Sequence, residues 1–339
     1  MKALVWQGPY SLEIVEKDVP KPDPGFALVK VEACGICGSD IHGYTGESGR
    51  RTPGMIMGHE FAGTVTEVNG EARDVAVGQR VAVNPLWGCG KCFYCLRGDP
   101  QICPNRLTIG VNITESGAFS EYVTVPVSNL VPIADHVSFE EASTAEPLAV
   151  ALRGFHLSGL SQNDVTLICG AGTIGLCALL VCKAHGLETV FITDKLSHRL
   201  EVAEKIGGIS VAPEDNPAER VLSSTSGLGA KATLDAVGIG ATITQSLMAT
   251  MRGGKVVLIG LATPKVDIAL YELVPQERLI QGSYAYTPDE YRQAVQLIED
   301  GIVDVKPLIE KVVPLSQAPE SFAALASGGD KSVKVVVKP

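Results

Sequence analysis

Between an apolar strand-like run, Val165-Thr-Leu-Ile-Cys169, and an apolar helix-like run, Ile174 to His185, the chain carries Gly170-Ala-Gly172-Thr173-Ile174-Gly175. Few backbones accommodate that order. The first glycine permits a tight turn, the second lets a ligand approach the backbone, and the third packs helix against strand. The helix start then offers free N–H groups and a positive dipole end, which suits a pyrophosphate. A second strand, Thr189-Val-Phe-Ile-Thr193, ends at Asp194, 19 residues after Gly175. That is where an adenosine ribose would present its hydroxyls. Asp194 would repel a 2′-phosphate, so NAD is expected rather than NADP, although the basic Lys195 and Arg199 lie close by. Arg199, one helical turn on, is placed to cover an adenine ring.

The surrounding texture agrees with a doubly wound α/β domain. A helix is expected over Ser197 to Lys205, and short strands near 209–212, 232–237, 255–260 and 279–284. Alternation of strand and helix argues for a parallel sheet. Before about residue 147 the chain reads differently. Phe26 to Ala33, Phe61 to Val68 and Arg80 to Val83 are rich in Val and Thr and nearly alternate, as strands do. An amphipathic helix is expected from Asp289 to Glu299, and a last strand over Val333 to Val337.

Nine cysteines are present, an odd number, and the first residues have no long apolar run of the signal-peptide kind, so reduced thiols are expected. Four of them form Cys89-x2-Cys92-x2-Cys95-x7-Cys103, fifteen residues interleaved with glycines and Pro104. Such a loop can wrap a tetrahedral soft metal, and an all-thiolate set leaves no open position, so a structural zinc is expected. An iron–sulfur cluster is the rival reading of the same spacing. A second constellation is Cys37-Gly-Ser39-Asp40-Ile-His42 with Gly58-His59-Glu60. Cys37 and His59 supply a thiolate and an imidazole, and a carboxylate would complete a catalytic zinc site, either Glu60 or Glu146. Cys34, Cys169, Cys177 and Cys182 sit in apolar runs and read as small buried hydrophobes. His136, His156, His185 and His198 are assigned no role.

Net charge is −10 with Lys and Arg scattered, so nucleic acid is not an expected partner. No apolar run approaches the roughly 20 residues of a membrane span, and a soluble cytoplasmic protein is expected.

Taken together these residues resemble the zinc-containing medium-chain dehydrogenases, and among them the sorbitol, threonine and related polyol dehydrogenases. The resemblance runs over essentially the whole chain. It passes through Gly35-Ile-Cys-Gly-Ser-Asp40, Gly58-His-Glu-Phe61, the four-cysteine lobe, Glu146-Pro-Leu148, the glycine turn and Asp304-Val-Lys-Pro-Leu308. It implies a GroES-like, β-rich catalytic zinc domain, residues 1–147 and 285–339, and a Rossmann dinucleotide-binding domain, residues 148–284. It further implies two zinc ions per chain, proton-relay roles for Ser39 and His42, a small alcohol or polyol as substrate, and a homodimer or homotetramer. The expected activity is reversible hydride transfer between NAD(H) and a secondary alcohol of a polyol or sugar-derived compound. A simple alcohol or a threonine-type amino alcohol is the alternative substrate, and a non-catalytic zinc-binding protein the alternative class. Two positions depart from the resemblance. Gly43 stands where sorbitol dehydrogenases carry a tyrosine, with Tyr44 next. Ala285 stands where sorbitol and threonine dehydrogenases carry an arginine.

Overall fold

The computed structural model describes residues 1–49, 51–71 and 75–339, which form two compact units. One comprises Met1–Glu146, Thr287–Gly301 and Ile309–Pro339; the other comprises Pro147–Tyr286 and Ile302–Leu308. The grouping departs from the sequence boundary at 285. Ile302–Leu308, which includes the Asp304–Leu308 motif, belongs with the second unit, and its Val303, Val305 and Leu308 are buried.

The first unit is built on a seven-stranded sheet. Its main order is Leu130–Pro132, Arg80–Val83, Glu60–Asn69, Phe26–Gly35, Lys334–Lys338 and Ile309–Pro314, and Tyr122–Pro126 also pairs with Phe26–Gly35. Pairing is antiparallel except between Ile309–Pro314 and Lys334–Lys338. The core is dense in β-branched and aromatic side chains, including Val29, Val65, Val81, Phe61, Phe119 and Phe322. Phe119 and Phe322 meet edge to face with centroids 5.4 Å apart, a geometry aromatic quadrupoles favour. Register fixes what happens at the sheet's end. Gly35 lies opposite Glu60 on one side and Val336 on the other. The C-terminal strand thereby reaches the start of Glu60–Asn69. A Cβ at Gly35 would collide with Glu60 Oε2, so the bare α-carbon is what lets the Glu60 carboxylate lie there.

The second unit holds a six-stranded, all-parallel sheet in the order Ile209–Ser210, Val190–Thr193, Thr166–Cys169, Ala230–Asp235, Thr250–Leu258 and Leu279–Gly282. Thr166–Cys169 comes first in the chain yet lies third in the sheet, so the winding reverses between it and Ala230–Asp235. Ligands of such sheets bind at the carboxyl ends of the strands at this reversal. Thr166–Cys169 and Val190–Thr193 are buried throughout, as a sheet covered on both faces requires. The expected helix at 174–185 is observed as Thr173–Ala184, and that at 197–205 as Ser197–Lys205. Leu279–Gly282 is the sheet's edge, and it is largely exposed. Among the described residues, no helix is long and apolar enough to cross a membrane.

Candidate active site and zinc centres

Cys37, His59 and Glu60 come together in the first unit, with one ligand atom of each within 4.8 Å of the others. Cys37 caps the helix Gly38–Tyr44, its Sγ accepting from the Ser39 N–H, while the Asp40 carboxylate accepts from the Cys37 N–H at 3.1 Å. That reciprocal capping box fixes the thiol at the helix start. His59 and Glu60 arrive where the strand Glu60–Asn69 begins, and both are buried. Glu146 is also buried, in the first turn of Ala145–Ser158, and is not one of the three gathered groups. Its charge bears instead on Tyr291, whose phenol is raised well above its ordinary pKa by burial first and by Glu146 second.

Three residues not picked out in the sequence complete the surroundings. Asp40 is fully buried, with Oδ1 lying 3.5 Å from His59 Nδ1 and 3.6 Å from Arg51 Nη2. Burial alone would raise the Asp40 carboxyl, but His59 and Arg51 hold it below its ordinary range. Burial likewise pulls His59 down, and the opposing charges of Asp40 and Cys37 win, so the ring sits well above its usual value. With Nδ1 turned to Asp40, a metal would be held through Nε2, on the pattern of a carboxylate–histidine–metal triad. Lys334 is the third. Its Nζ lies 2.5 Å from Glu60 Oε2 and 3.1 Å from the Ile36 carbonyl, and lysine and glutamate side chains are both at most 2% exposed. Thiolate, imidazole and carboxylate suit zinc, and three protein donors leave a coordination position for a reactant.

Ser39 and His42 are exposed, three residues apart on the helix Gly38–Tyr44. The partner of His42 is Glu47, at 2.8 Å. Gly43 packs against Arg51, and Ala285 carries φ 47°, a left-handed backbone with only a methyl group where the resemblance has a guanidinium.

The four-cysteine loop also closes. Its four sulfurs lie within 4.8 Å of one another, with Cys92 Sγ 3.5 Å from Cys95 Sγ and 3.7 Å from Cys103 Sγ. Zinc–sulfur bonds of about 2.3 Å put tetrahedral sulfurs about 3.8 Å apart, so the loop has the dimensions for that ion. The N–H groups of Lys91 and Cys92 point at Cys89 and lower its thiol to about 6, favouring the thiolate a metal needs.

In the second unit, Gly170 takes φ 95°, and a Cβ on Gly175 would strike the Gly170 carbonyl. Gly172 is the N-cap of Thr173–Ala184 with no side-chain cap. A helix start of this kind, without a side-chain cap, is where backbone N–H groups and the dipole would favour an anion. Asp194 holds the glycine turn in a way that the spacing did not reveal. Its Oδ2 accepts from the Ala171 N–H at 2.7 Å and its Oδ1 from the Leu196 N–H at 2.9 Å, latching the glycine turn to the next strand. Arg199 Nη1 lies 3.9 Å from Asp194 and would be 3.6 Å from a Cβ on Gly172. Asp235 anchors the neighbouring turn through the N–H groups of Val237 and Gly238 and the Thr242 hydroxyl.

With this geometry in view, comparison with known proteins is direct. Residues 23–135 match the alcohol dehydrogenase GroES-like domain and residues 173–300 the zinc-binding dehydrogenase domain. The chain is 34% identical to L-threonine 3-dehydrogenase of Pyrococcus abyssi over 96% of its own length and 95% of the relative's. It is 30% identical to D-arabitol-phosphate dehydrogenase of Enterococcus avium, covering 100% of this chain and 98% of that one. A zinc-binding dehydrogenase of Sinorhizobium meliloti, solved with NADP, superposes with a TM-score of 0.91 at 31% identity, covering 100% and 99% of the two chains. The chain belongs to the zinc-containing medium-chain alcohol dehydrogenase family. It is a zinc-dependent, NAD(P)-linked oxidoreductase acting on CH–OH groups.

Proposed function

We propose that the chain oxidises a secondary alcohol of a polyol or sugar-derived compound, reversibly, with NAD as the preferred acceptor. The observation that carries this reading is the gathering of Cys37, half-buried, with buried His59 and Glu60, three donors to which a reactant could add a fourth. On this reading Cys37, His59 and one acid hold a catalytic zinc, and Cys89, Cys92, Cys95 and Cys103 hold a structural one. The gathering of Glu60 with Cys37 and His59 favours Glu60 over Glu146 as the acid. When bound, zinc supplies a positive charge that favours loss of a substrate hydroxyl proton. Ser39 takes that proton and His42, exposed and paired with Glu47, passes it to solvent. The overall balance is alcohol plus NAD⁺ giving carbonyl, NADH and a proton.

Gly170, Gly172, Thr173, Ile174 and Gly175 cradle the pyrophosphate, Asp194 meets the ribose, and Arg199 covers the adenine. The Asp194 carboxylate supports NAD over NADP, while Arg199, already near that carboxylate, tempers the preference. The relatives named for threonine and arabitol phosphate support a polar, hydroxyl-rich substrate. A homodimer or homotetramer is supported by the exposed edge Leu279–Gly282 together with exposed Leu261, Leu270, Tyr271 and Val274. Nine free cysteines suit a reducing, cytoplasmic setting.

The test is metal content measured with NAD and NADP reduction across simple alcohols, polyols, sugar acids and threonine. Two zincs per chain and NAD-linked turnover of a polyol are expected. Turnover of simple alcohols alone would refute the substrate class.

A further inference from the structure

Gly43 lies inside a short helix, where glycine is a poor choice. Its neighbour accounts for it. A Cβ on Gly43 would lie 2.7 Å from Arg51 Nε, 3.0 Å from Arg51 Cγ and 3.3 Å from Met57 Sδ. The bare α-carbon makes room for a buried guanidinium whose side chain is 3% exposed. Arg51 Nη1 donates to the Val111 carbonyl at 2.8 Å, and Nη2 faces Asp40 Oδ1 at 3.6 Å. That same carboxylate oxygen faces His59 Nδ1, and its partner oxygen accepts from the Cys37 N–H. Asp40 therefore lies beside two of the three gathered donors, 3.5 Å from the ring of His59 and hydrogen-bonded to the backbone of Cys37.

A carboxylate buried this fully needs a matching cation. Arg51 supplies charge from beside Asp40 Oδ1, at 3.6 Å. A planar fork can face Val111 and Asp40 at once, which a lysine's point charge cannot reproduce. We propose that Arg51 is a positioning residue of the catalytic zinc site, braced on Val111 and admitted by Gly43, and that it holds Asp40 in place to orient His59 and Cys37. The proposal rests on the catalytic-zinc reading above.

The test uses the full-length chain loaded with zinc and compares wild type, Arg51→Met, Arg51→Lys and Gly43→Ala. Zinc transfer to a chromophoric chelator is followed alongside the thermal midpoint and the separate values of kcat and KM. Loss of outer partners of a ligating histidine typically weakens metal binding about 10–100-fold. In Arg51→Met one zinc should leave faster by about that factor while the second leaves at the wild-type rate. Arg51→Lys should recover part of the difference, and Gly43→Ala, which keeps the arginine but crowds it, should shift release the same way by less. Should Arg51→Met fail to fold, the other two variants carry the test. Wild-type release of both zincs in a folded Arg51→Met would overturn the proposal. So would equal acceleration of both zincs with a lowered midpoint, which marks a merely structural role. A wild-type chain holding only one zinc would sink the zinc reading itself, before any variant is compared.

Discussion

The two donor sets of this protein are built in opposite ways. The four cysteines come from fifteen consecutive residues and stand in a partly exposed loop with Phe93 and Leu96 open to solvent. Cys37, His59 and Glu60 come from two separate segments and are braced by Asp40, Arg51 and Lys334, with Cys37 half-buried at a helix start and His59 and Glu60 buried at the end of a sheet. A local loop needs only its own spacing to close on a metal. A buried mixed set needs the tertiary fold to deliver charges that balance it. The first design suits a fixed strut, and the second suits a site whose open position must stay open while its ligands stay still.

The sharpest way to break this comparison is to remove one thiolate from each set. Cys37→Ser should cut kcat/KM by about 10³-fold or more, the scale of losing several kcal/mol of charge stabilisation, and leave one zinc per chain. Cys92→Ser should remove the other zinc and lower thermal stability, with a far smaller effect on turnover by the folded fraction. Metal analysis with steady-state kinetics on both variants separates the roles. Equal losses of activity would mean that the two sites do not divide structure from chemistry.

Lys334→Met tests the long-range half of the comparison. Lysine and glutamate are buried together, and removing one member of such a pair leaves an uncompensated charge, at a cost of about 3–5 kcal/mol. A denaturation midpoint lowered on that scale, with the four-cysteine zinc retained in the folded protein, is the expected result. An unchanged midpoint would mean that Glu60 has another way to balance its charge.

The same contrast explains what could be read from the sequence. The four-cysteine loop and the glycine turn are short patterns with fixed offsets, and their geometry followed. Cys37 and His59 stood out by residue type while the acid stayed open between Glu60 and Glu146, and the gathering of Glu60 with the other two follows the pairing of Phe26–Gly35 with Glu60–Asn69. Lys334 was not visible, because 274 residues separate it from Glu60 and nothing marks one lysine in a valine-rich strand. Register, rather than any motif, brings it there. Arg51 was hidden for a related reason: its significance lies in the missing Cβ of Gly43, which the sequence showed only as a departure from a family pattern. The boundary at 285 missed Ile302–Leu308 because a chain can return to a domain for seven residues without a change in composition.

Asp194→Ser addresses a region outside both donor sets and should have a moderate effect. Removing the carboxylate relieves repulsion of a 2′-phosphate, so the ratio of kcat/KM for NAD over NADP should fall by about tenfold, a change of about 1.4 kcal/mol. Because Asp194 also latches Ala171 and Leu196, KM for both cofactors should rise. A ratio that does not move would assign Asp194 to the latch alone.

The smallest expected effect concerns how Lys334 is delivered. Asp330 precedes the strand Lys334–Lys338, accepts from the Ser332 N–H and hydroxyl, and pairs with Lys311 at 2.7 Å on the adjacent strand. The Lys311 ammonium first, and then Ser332, hold the Asp330 carboxyl down at about 2 against an ordinary 3.8. A depressed carboxylate stabilises the fold above its unfolded pKa, and the contribution fades as pH falls through the folded one. Lys311 is half exposed, so after solvent screening the contribution is about 1 kcal/mol. Wild type should therefore exceed Asp330→Asn by about that amount near neutral pH, with the gap beginning to close below about pH 4 and vanishing near pH 2. Denaturant melts of both proteins across this interval, run on metal-free protein to remove the acid lability of the donor sets, would measure it. If the gap persists unchanged at pH 2, the aspartate's side-chain shape rather than its charge anchors the strand. The electrostatic chain from Lys311 through Asp330 to the strand carrying Lys334 would then have to be abandoned.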